Sequence, residues 1–534
     1  MSSAGPANGA SRAALPPDPA KRTAGTLDTR DRAPLTPEAT ARSRRRPDWT
    51  LIPAPAIALA VMLWGIDARP YWGDEADSVS AASRSLPQLI RLLRHIDVVH
   101  GLYYLLLWPV VRVAGPSEFA TRLPSALAMA AAAAGVTAIA RRLASRRAGL
   151  CAGLLFAALP TVSNQGHDAR PYAVVTAAAV LASYLLVRAA QDPRPRWFAA
   201  YGLSLALVGY LQLFGLLLVP AHAVTVIGLG RRRRAAGDGQ PGDAPRAAAA
   251  RGWLVTILAV GVAVVPVAIL GWAQRAQIAW IPRLGWHDVG DLVNTLIAGS
   301  AAAAVVIAAL GVLGGTRGGS LALAGPRAPA RLRARAGGPD RSLTWLAVPW
   351  LVLPPLLLLA VSEIMPAYNS RYLTYCLPPV ALLAGAGLAA LRWPLRAAAL
   401  VLIVALVAPE QLTLRAQGNG MRAVAQFLSA HRRPGDAIIY PQPSIPPWYL
   451  AYPYGLGQLR NIGLAQSPGA AGRLNANSVP LPVLQRREQS VRRIWVVQMG
   501  GNRNPAAYLV PAFRLTQEWK LAGYQMVWLY TKPG

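Results

Sequence analysis

Tyr71-Trp72-Gly73-Asp74-Glu75-Ala76-Asp77 follows the first long apolar segment, Leu51 to Ile66, almost at once. In a chain of which only 14% is charged, three carboxylates crowded at the end of an apolar run need a reason. A carboxylate beside hydrocarbon is costly to keep ionised, so such residues either line a wet cavity and carry function or simply open a solvated loop. The choice between the two turns on what the rest of the chain sets beside them.

The 534 residues are 54% hydrophobic. Several apolar runs approach the roughly 20 residues that span a bilayer, so the chain reads as a polytopic membrane protein and not as a soluble enzyme. A net charge of +31 would point to nucleic acid in a soluble protein. Here the arginines lie in blocks between apolar runs, which is the signature of cytoplasmic loops, and no nucleic-acid partner is implied. The two cysteines, Cys151 and Cys376, both sit in apolar segments, so neither a disulfide framework nor a cysteine metal site is expected.

Residues 1–48 are rich in Pro, Ala, Ser and Arg and end in Arg42, Arg44, Arg45 and Arg46. They read as a disordered cytoplasmic tail, with Leu51 to Ile66 as a retained first span. The short run from Gly101 to Gly115 contains Arg112 and decides the topology. If Leu86 to Ser117 stays outside as surface helices, the positive-inside rule is satisfied nearly throughout. Further spans then fall near 123–140, 149–166, 172–188, 198–212, 214–229, 253–272, 290–313, 343–362, 372–391 and 396–410, roughly eleven in all. The Gly- and Arg-rich loops Arg231 to Arg251 and Arg317 to Arg341 become cytoplasmic linkers without chemistry.

The predicted fold class is thus an α-helical polytopic membrane domain over 49–410, with a large first extracytoplasmic loop at 67–121. It is followed by an extracytoplasmic α/β domain over 411–534, where helical Met421 to Ala430 and strands Asp436 to Tyr440, Ile494 to Gln498 and Tyr524 to Tyr530 alternate. The expected location is a bacterial plasma membrane, with the N-terminus cytoplasmic and the C-terminal domain outside.

This parity places Asp74 and Glu75, His95, Asp97 and His100, Glu118 and Arg122, His167, Asp168 and Arg170, and Asn369 and Arg371 on one face. Carboxylates, imidazoles and arginines gathered there suit transfer from a lipid-linked phosphate. A carboxylate takes the proton of an acceptor hydroxyl, and arginines bind the departing phosphate. Arginines at the outer ends of spans also snorkel, and outer Tyr and Trp residues also form interfacial belts, so each residue alone has a plainer explanation.

Trp72-Gly73-Asp74-Glu75, Gly115-Pro116-Ser117-Glu118 leading to Arg122-Leu123-Pro124-Ser125, Ala169-Arg170-Pro171-Tyr172 and Arg371-Tyr372-Leu373 resemble, in that order, the GT-C membrane glycosyltransferases. The branch is similar to the protein O-mannosyltransferase and aminoarabinose-transferase type, over roughly residues 50 to 410. The resemblance implies a polyprenyl-phosphate-linked sugar as donor, mannose first, and an acceptor hydroxyl on a protein, lipid or glycan. It further implies transfer on the extracytoplasmic face with inversion. It implies Asp74 as base or acceptor-orienting acid, with Glu75 beside it. Arg122 matches the first-loop arginine of the mannosyltransferases. Donor phosphate and sugar are expected to meet Arg122, Arg170, Arg371, His100, Tyr172, Tyr372, Asp168 and His167. His100-Gly101-Leu102 and His167-Asp168 depart from the family pattern and bear on the acceptor.

No cofactor is certain. A divalent cation held by Asp74 and His100 stays open, as do a sugar-binding or a plain helix-start role for His100. Two rival classes remain, a lipid-linked sugar flippase or transporter and a non-catalytic cell-envelope assembly protein. The first predicts ionisable residues near mid-membrane and an internal repeat, neither of which the chain has; the second predicts tolerance of substitution at the outer carboxylates.

Overall fold

A computed structural model describes residues 51–235, 244–297, 301–317, 341–416, 418, 420–441, 444–445, 447–499, 510–521 and 525–533. The expected N-terminal tail and much of the two long linkers lie outside these residues. The first half of the chain is helical: α1 (Pro53–Leu63), α2 (Gly73–Ala82), α3 (Leu86–His95), α4 (Gly101–Ala114), α5 (Glu118–Leu143), α6 (Arg146–Ala158), α7 (Pro160–Gly166), α8 (Tyr172–Gln191), α9 (Pro195–Leu211) and α10 (Leu218–Ala235). After α11 (Ala244–Ala273), α12 (Trp286–Ile297) and α13 (Ala301–Arg317) come Ser342–Ile364, Leu377–Ala390 and Trp393–Thr413.

Seven helices among the described residues are long and apolar enough to cross a membrane, with an eighth if the bent pair around 298–300 is one span. Three expected spans take shorter forms. The first is the 11-residue α1, and the segment 198–212 is the 17-residue α9. The segment 149–166 divides into α6 and α7 because Leu159 is extended (φ −63°, ψ 124°) before Pro160. A residue preceding proline is pushed out of the helical region, and a proline has no N–H to continue the ladder. The carbonyl of Ala158, freed at this break, accepts from Gln411 Nε2 at 2.9 Å. Elsewhere small residues set the packing. A Cβ on Gly387 would lie 1.9 Å from the Leu310 carbonyl oxygen, so α13 and Leu377–Ala390 cross in backbone contact.

The C-terminal region is α/β, as the alternation of strands and helix predicts. A five-stranded sheet runs β3-β1-β6-β8-β7, built from β1 (Ala437–Ile439), β3 (Arg460–Asn461), β6 (Arg493–Met499), β7 (Arg514–Leu521) and β8 (Gln525–Thr531). Its β1 is parallel to β3 and β6, and β8 is antiparallel to β6 and β7. A small second sheet, β2-β5-β4, joins β2 (Ser444–Ile445), β4 (Leu464–Gln466) and β5 (Ala476–Ser478). The core of this region reaches into the first loop: Ala76 and Val79 of α2 share one buried cluster with Met421, Val424 and Tyr452.

A buried ion pair fixes α2 against the membrane domain. Glu75 is fully buried, and its carboxylate accepts Arg122 Nε and Nη2 at 2.7 Å each. It also accepts the Ala169 N–H at 2.9 Å and the Trp72 N–H at 3.3 Å. The remaining hydrogens of Arg122 go to the carbonyls of Ile66, Arg69 and Pro70 at 2.9 to 3.3 Å. Removing one partner of such a pair strands the other, at a cost of about 3–5 kcal/mol. Arg122→Leu is therefore expected to lower the thermal unfolding temperature of the purified chain sharply. An unchanged transition would show that the pair does not hold the fold.

Candidate active site

Asp74 and Asp77 stand three residues apart on α2, hence on one helical face, while Glu75 lies about 100° away. That face opens on a cavity of about 580 Å³. Its walls include His100 and Asp97 before α4, Arg170 and Tyr172 at the start of α8, and Gln212 and Phe214 between α9 and α10. Arg275 and Gln277 after α11, and Asn369, Arg371 and Tyr372, complete the membrane-domain side. Leu474 and Asn475 of the C-terminal region line it as well.

The Asp74 side chain is 42% exposed. Its Oδ2 lies 3.9 Å from Arg170 Nη2 and 3.6 Å from Arg371 Nη1, near enough for electrostatic pairing but too far for a tight hydrogen bond. Arg170 is buried and oriented by several partners. Its Nη1 donates to the Asp74 carbonyl at 3.3 Å and Ser78 Oγ at 3.4 Å, and its Nη2 approaches His100 Nε2 at 3.3 Å. Arg170 Nε has no partner within the protein. Arg371 lies over the Trp72 ring, 4.3 Å from its centroid. Two guanidinium groups thus flank one accessible carboxylate, leaving donors for an incoming anion.

Behind this front row stands a supporting one that the motifs only hinted at. Asp97 has a left-handed backbone (φ 65°, ψ 26°), alone among the described non-glycine residues in its positive φ. The conformation is costly for most side chains, but Asp tolerates it better than most. Gln277 Oε1 accepts its N–H at 3.1 Å and Gln274 Oε1 accepts that of Val98 at 3.0 Å, so the segment just after α11 holds the turn. The Asp97 carboxylate meets His100 Nδ1 at 2.7 Å and accepts the Tyr104 hydroxyl. A guanidinium only donates, so His100 Nε2 accepts from Arg170 and Nδ1–H donates to Asp97. Burial alone would raise the Asp97 pKa, but His100, Arg170 and the Tyr104 hydroxyl outweigh it and hold the carboxyl below the ordinary range.

Of the expected site residues, Asp74, His100, Arg170, Arg371, Tyr172 and Tyr372 reach the cavity, and Glu75, Arg122, His167 and Asp168 do not line it. Glu75 and Arg122 are spent on each other and on backbone groups. Neither side chain faces the cavity; the pair holds α2 in position. His167 Nε2–H donates to the Met62 carbonyl at 2.7 Å, and burial pushes its pKa down to about 4, so it remains a neutral tether. Asp168 accepts the Trp72 indole N–H at 3.1 Å and steadies the ring beneath Arg371. Burial, reinforced by Glu75, pushes its carboxyl above the ordinary range. Of the pair considered for a cation, His100 has both nitrogens engaged, by Asp97 and Arg170. No group of three or more His, Cys, Asp or Glu side chains suited to a metal occurs among the described residues.

Asp77 went unrecognised as a wall residue, although its spacing from Asp74 announced it. Desolvation pushes its pKa up to about 7; the Asp97 and Asp74 carboxylates add to the rise while Arg170 opposes it.

Residues 102–238 match the family profile described as dolichyl-phosphate-mannose-protein mannosyltransferase. No curated protein sequence matches the chain. The fold is that of the GT-C membrane glycosyltransferases, as the sequence motifs implied. It superposes on ArnT from Cupriavidus metallidurans in the apo state with a TM-score of 0.56 and 14% identity, covering 90% of this chain and 97% of that one. With ArnT from the same organism bound to undecaprenyl phosphate the TM-score is 0.54 at 15% identity, over 90% and 98% of the two chains.

A carboxyl with a raised native pKa keeps its proton in the folded state after the unfolded chain has lost its own. Its contribution to stability is fullest below the unfolded pKa and declines as the pH rises toward the folded one. Asp77→Asn removes this loss. The unfolding temperature of the variant is expected to gain on wild type between about pH 4 and pH 7 and to hold a constant lead above that. A difference independent of pH would place Asp77 in an ordinary solvated setting.

Proposed function

We propose that this chain is a membrane-embedded glycosyltransferase that moves a sugar from a polyprenyl-phosphate donor to an acceptor hydroxyl. The observation that carries the reading is the half-exposed Asp74 carboxylate between Arg170 and Arg371 at the wall of one large cavity. The likeness in fold to a protein captured with undecaprenyl phosphate supports a polyprenyl carrier, and the match to a mannosyltransferase profile makes mannose the first sugar to test. In this reading the first loop and C-terminal region face the extracytoplasmic side and the N-terminus the cytoplasm, in a bacterial plasma membrane.

Asp74 accepts the proton of the acceptor hydroxyl as its oxygen attacks the anomeric carbon. The bond from that carbon to the phosphate oxygen breaks with inversion, and the lipid phosphate leaves with the electron pair onto Arg170 and Arg371. Both arginines are held in place beforehand, Arg170 by His100 and Ser78 and Arg371 by Trp72, so little reorganisation accompanies the developing charge. The acceptor is a protein, lipid or glycan hydroxyl.

Membranes containing wild type, Asp74→Asn or Arg371→Ala are to be supplied with radiolabelled polyprenyl-phosphate mannose, then with the arabinose donor. Label is followed into lipid, protein and glycan fractions. Loss of a positioned base is expected to slow transfer roughly 10²–10⁴-fold. Loss of one charge-stabilising donor is expected to slow it about 10²–10³-fold. Transfer at the wild-type rate by Asp74→Asn would remove the assignment.

A further inference from the structure

Beside the proposed active cavity lies a second one of about 340 Å³, near the lower end of the roughly 300–1,000 Å³ typical of small-molecule sites. Arg371 lines both and forms part of the partition between them. The second cavity exists because α6 and α7 are separate helices. The break at Pro160 sets α7 so that Thr161, Asn164 and Gln165, related by three and four residues, present one polar face to it. Asn294 of α12 and Glu410 near the end of Trp393–Thr413 stand in the other walls, with Arg69.

Its chemistry differs from that of the first. The large cavity has the aromatic side chains of Tyr172, Phe214, Trp272 and Tyr372 in its walls; the smaller one carries mainly amides, hydroxyls and charges. Gln165 is only 3% exposed, yet its Oε1 has no partner within the protein. A buried amide oxygen in that condition calls for a donor from whatever occupies the space. An inorganic anion fits poorly, because the Glu410 carboxylate stands in the wall and Gln165 offers an acceptor. An apolar chain fits no better. A molecule with several hydroxyls, each both donor and acceptor, satisfies amides, carboxylate and guanidinium together.

We infer that this second cavity binds a saccharide unit of the acceptor, so that the substrate glycosylated is itself a glycan or glycoconjugate. The inference deepens the proposed transfer and rests on it for the role of Asp74. A ring held by Asn164, Gln165 and Asn294 directs a hydroxyl past Arg371, which lies 3.6 Å from Asp74, toward the anomeric carbon of the donor. That hydroxyl gives its proton to Asp74 and the new glycosidic bond replaces the sugar–phosphate bond, as in the step above. Arg371 thereby touches both substrates.

The test measures binding without turnover. The full chain in lipid nanodiscs is titrated with methyl glycosides of mannose, galactose and arabinose, and contact is read by saturation-transfer NMR in the absence of any donor. At least one glycoside is expected to bind saturably and to resist displacement by excess inorganic phosphate. Asn164 and Asn294 are both exposed, so their alanine variants leave the packing intact, which an unchanged unfolding temperature verifies. Loss of both side chains is expected to weaken the affinity on the order of tenfold. Absence of glycoside binding, equal binding by Asn164→Ala/Asn294→Ala, or competition by phosphate would each overturn the inference. Saturable binding through Asn164 in a chain that transfers no sugar would instead overturn the transferase reading while keeping the saccharide site.

Discussion

Everything around the site depends on the pairing of Glu75 with Arg122. Two opposite charges are withdrawn from water near a membrane, and each lone pair and hydrogen between them is matched by a carbonyl or an amide. Four stretches of chain converge on this pair: the loop 66–70, the first turn of α2, α5 and the turn at 168–170. Such a cluster stores little net stability, because desolvation offsets most of the attraction, but it tolerates only one arrangement. Its effect on chemistry follows from helical geometry. With Glu75 turned inward, Asp74 is rotated by about 100° toward the cavity. One acid of the pair is structural and thereby aims the other.

The C-terminal region completes this clamp from the far side. Arg422 donates to Glu118 at 2.9 Å and to the carbonyls of Asp67 and Arg69 at 2.7 and 2.6 Å. The Tyr452 hydroxyl accepts the Tyr71 N–H at 2.8 Å and donates to Glu118 at 3.0 Å. The Arg69 carbonyl therefore serves Arg122 from the membrane side and Arg422 from the tail. The loop leading into α2 is held between two guanidinium groups on separate parts of the fold, which leaves the helix little freedom to tilt.

Much of this was legible in the sequence, and the part that was not has a physical reason. Apolar runs and arginine blocks carry the membrane architecture, and the buried strands at 437–439, 493–499 and 525–531 announce themselves by apolar runs. Strand β7 does not, because it lies at the sheet edge with most of its side chains in solvent. At the site, motif order gathered Asp74, Arg170, Arg371 and His100, which line one cavity. It could not separate Glu75 and Arg122 from the cavity residues, since a polar residue buried against a partner and one aimed into a cavity look alike in one dimension. Helical phase would have paired Asp74 with Asp77. No local pattern announces Gln277, whose relevance arises only when the segment after α11 meets the turn at Asp97 from 180 residues away.

Leu474 and Asn475 stand in the wall of the large cavity, and the turn that carries them is tied to α2 and the segment just beyond it. Ser80 Oγ donates to the Leu474 carbonyl at 3.4 Å, and Arg84 donates to the carbonyl of Arg473. The membrane bundle and the α/β region are consequently not separable modules. A graft of this tail onto another bundle transplants a piece of the cavity wall, and cutting it away leaves the cavity without that wall. A substitution at Leu474 or Asn475 therefore reshapes the cavity without touching a transmembrane helix.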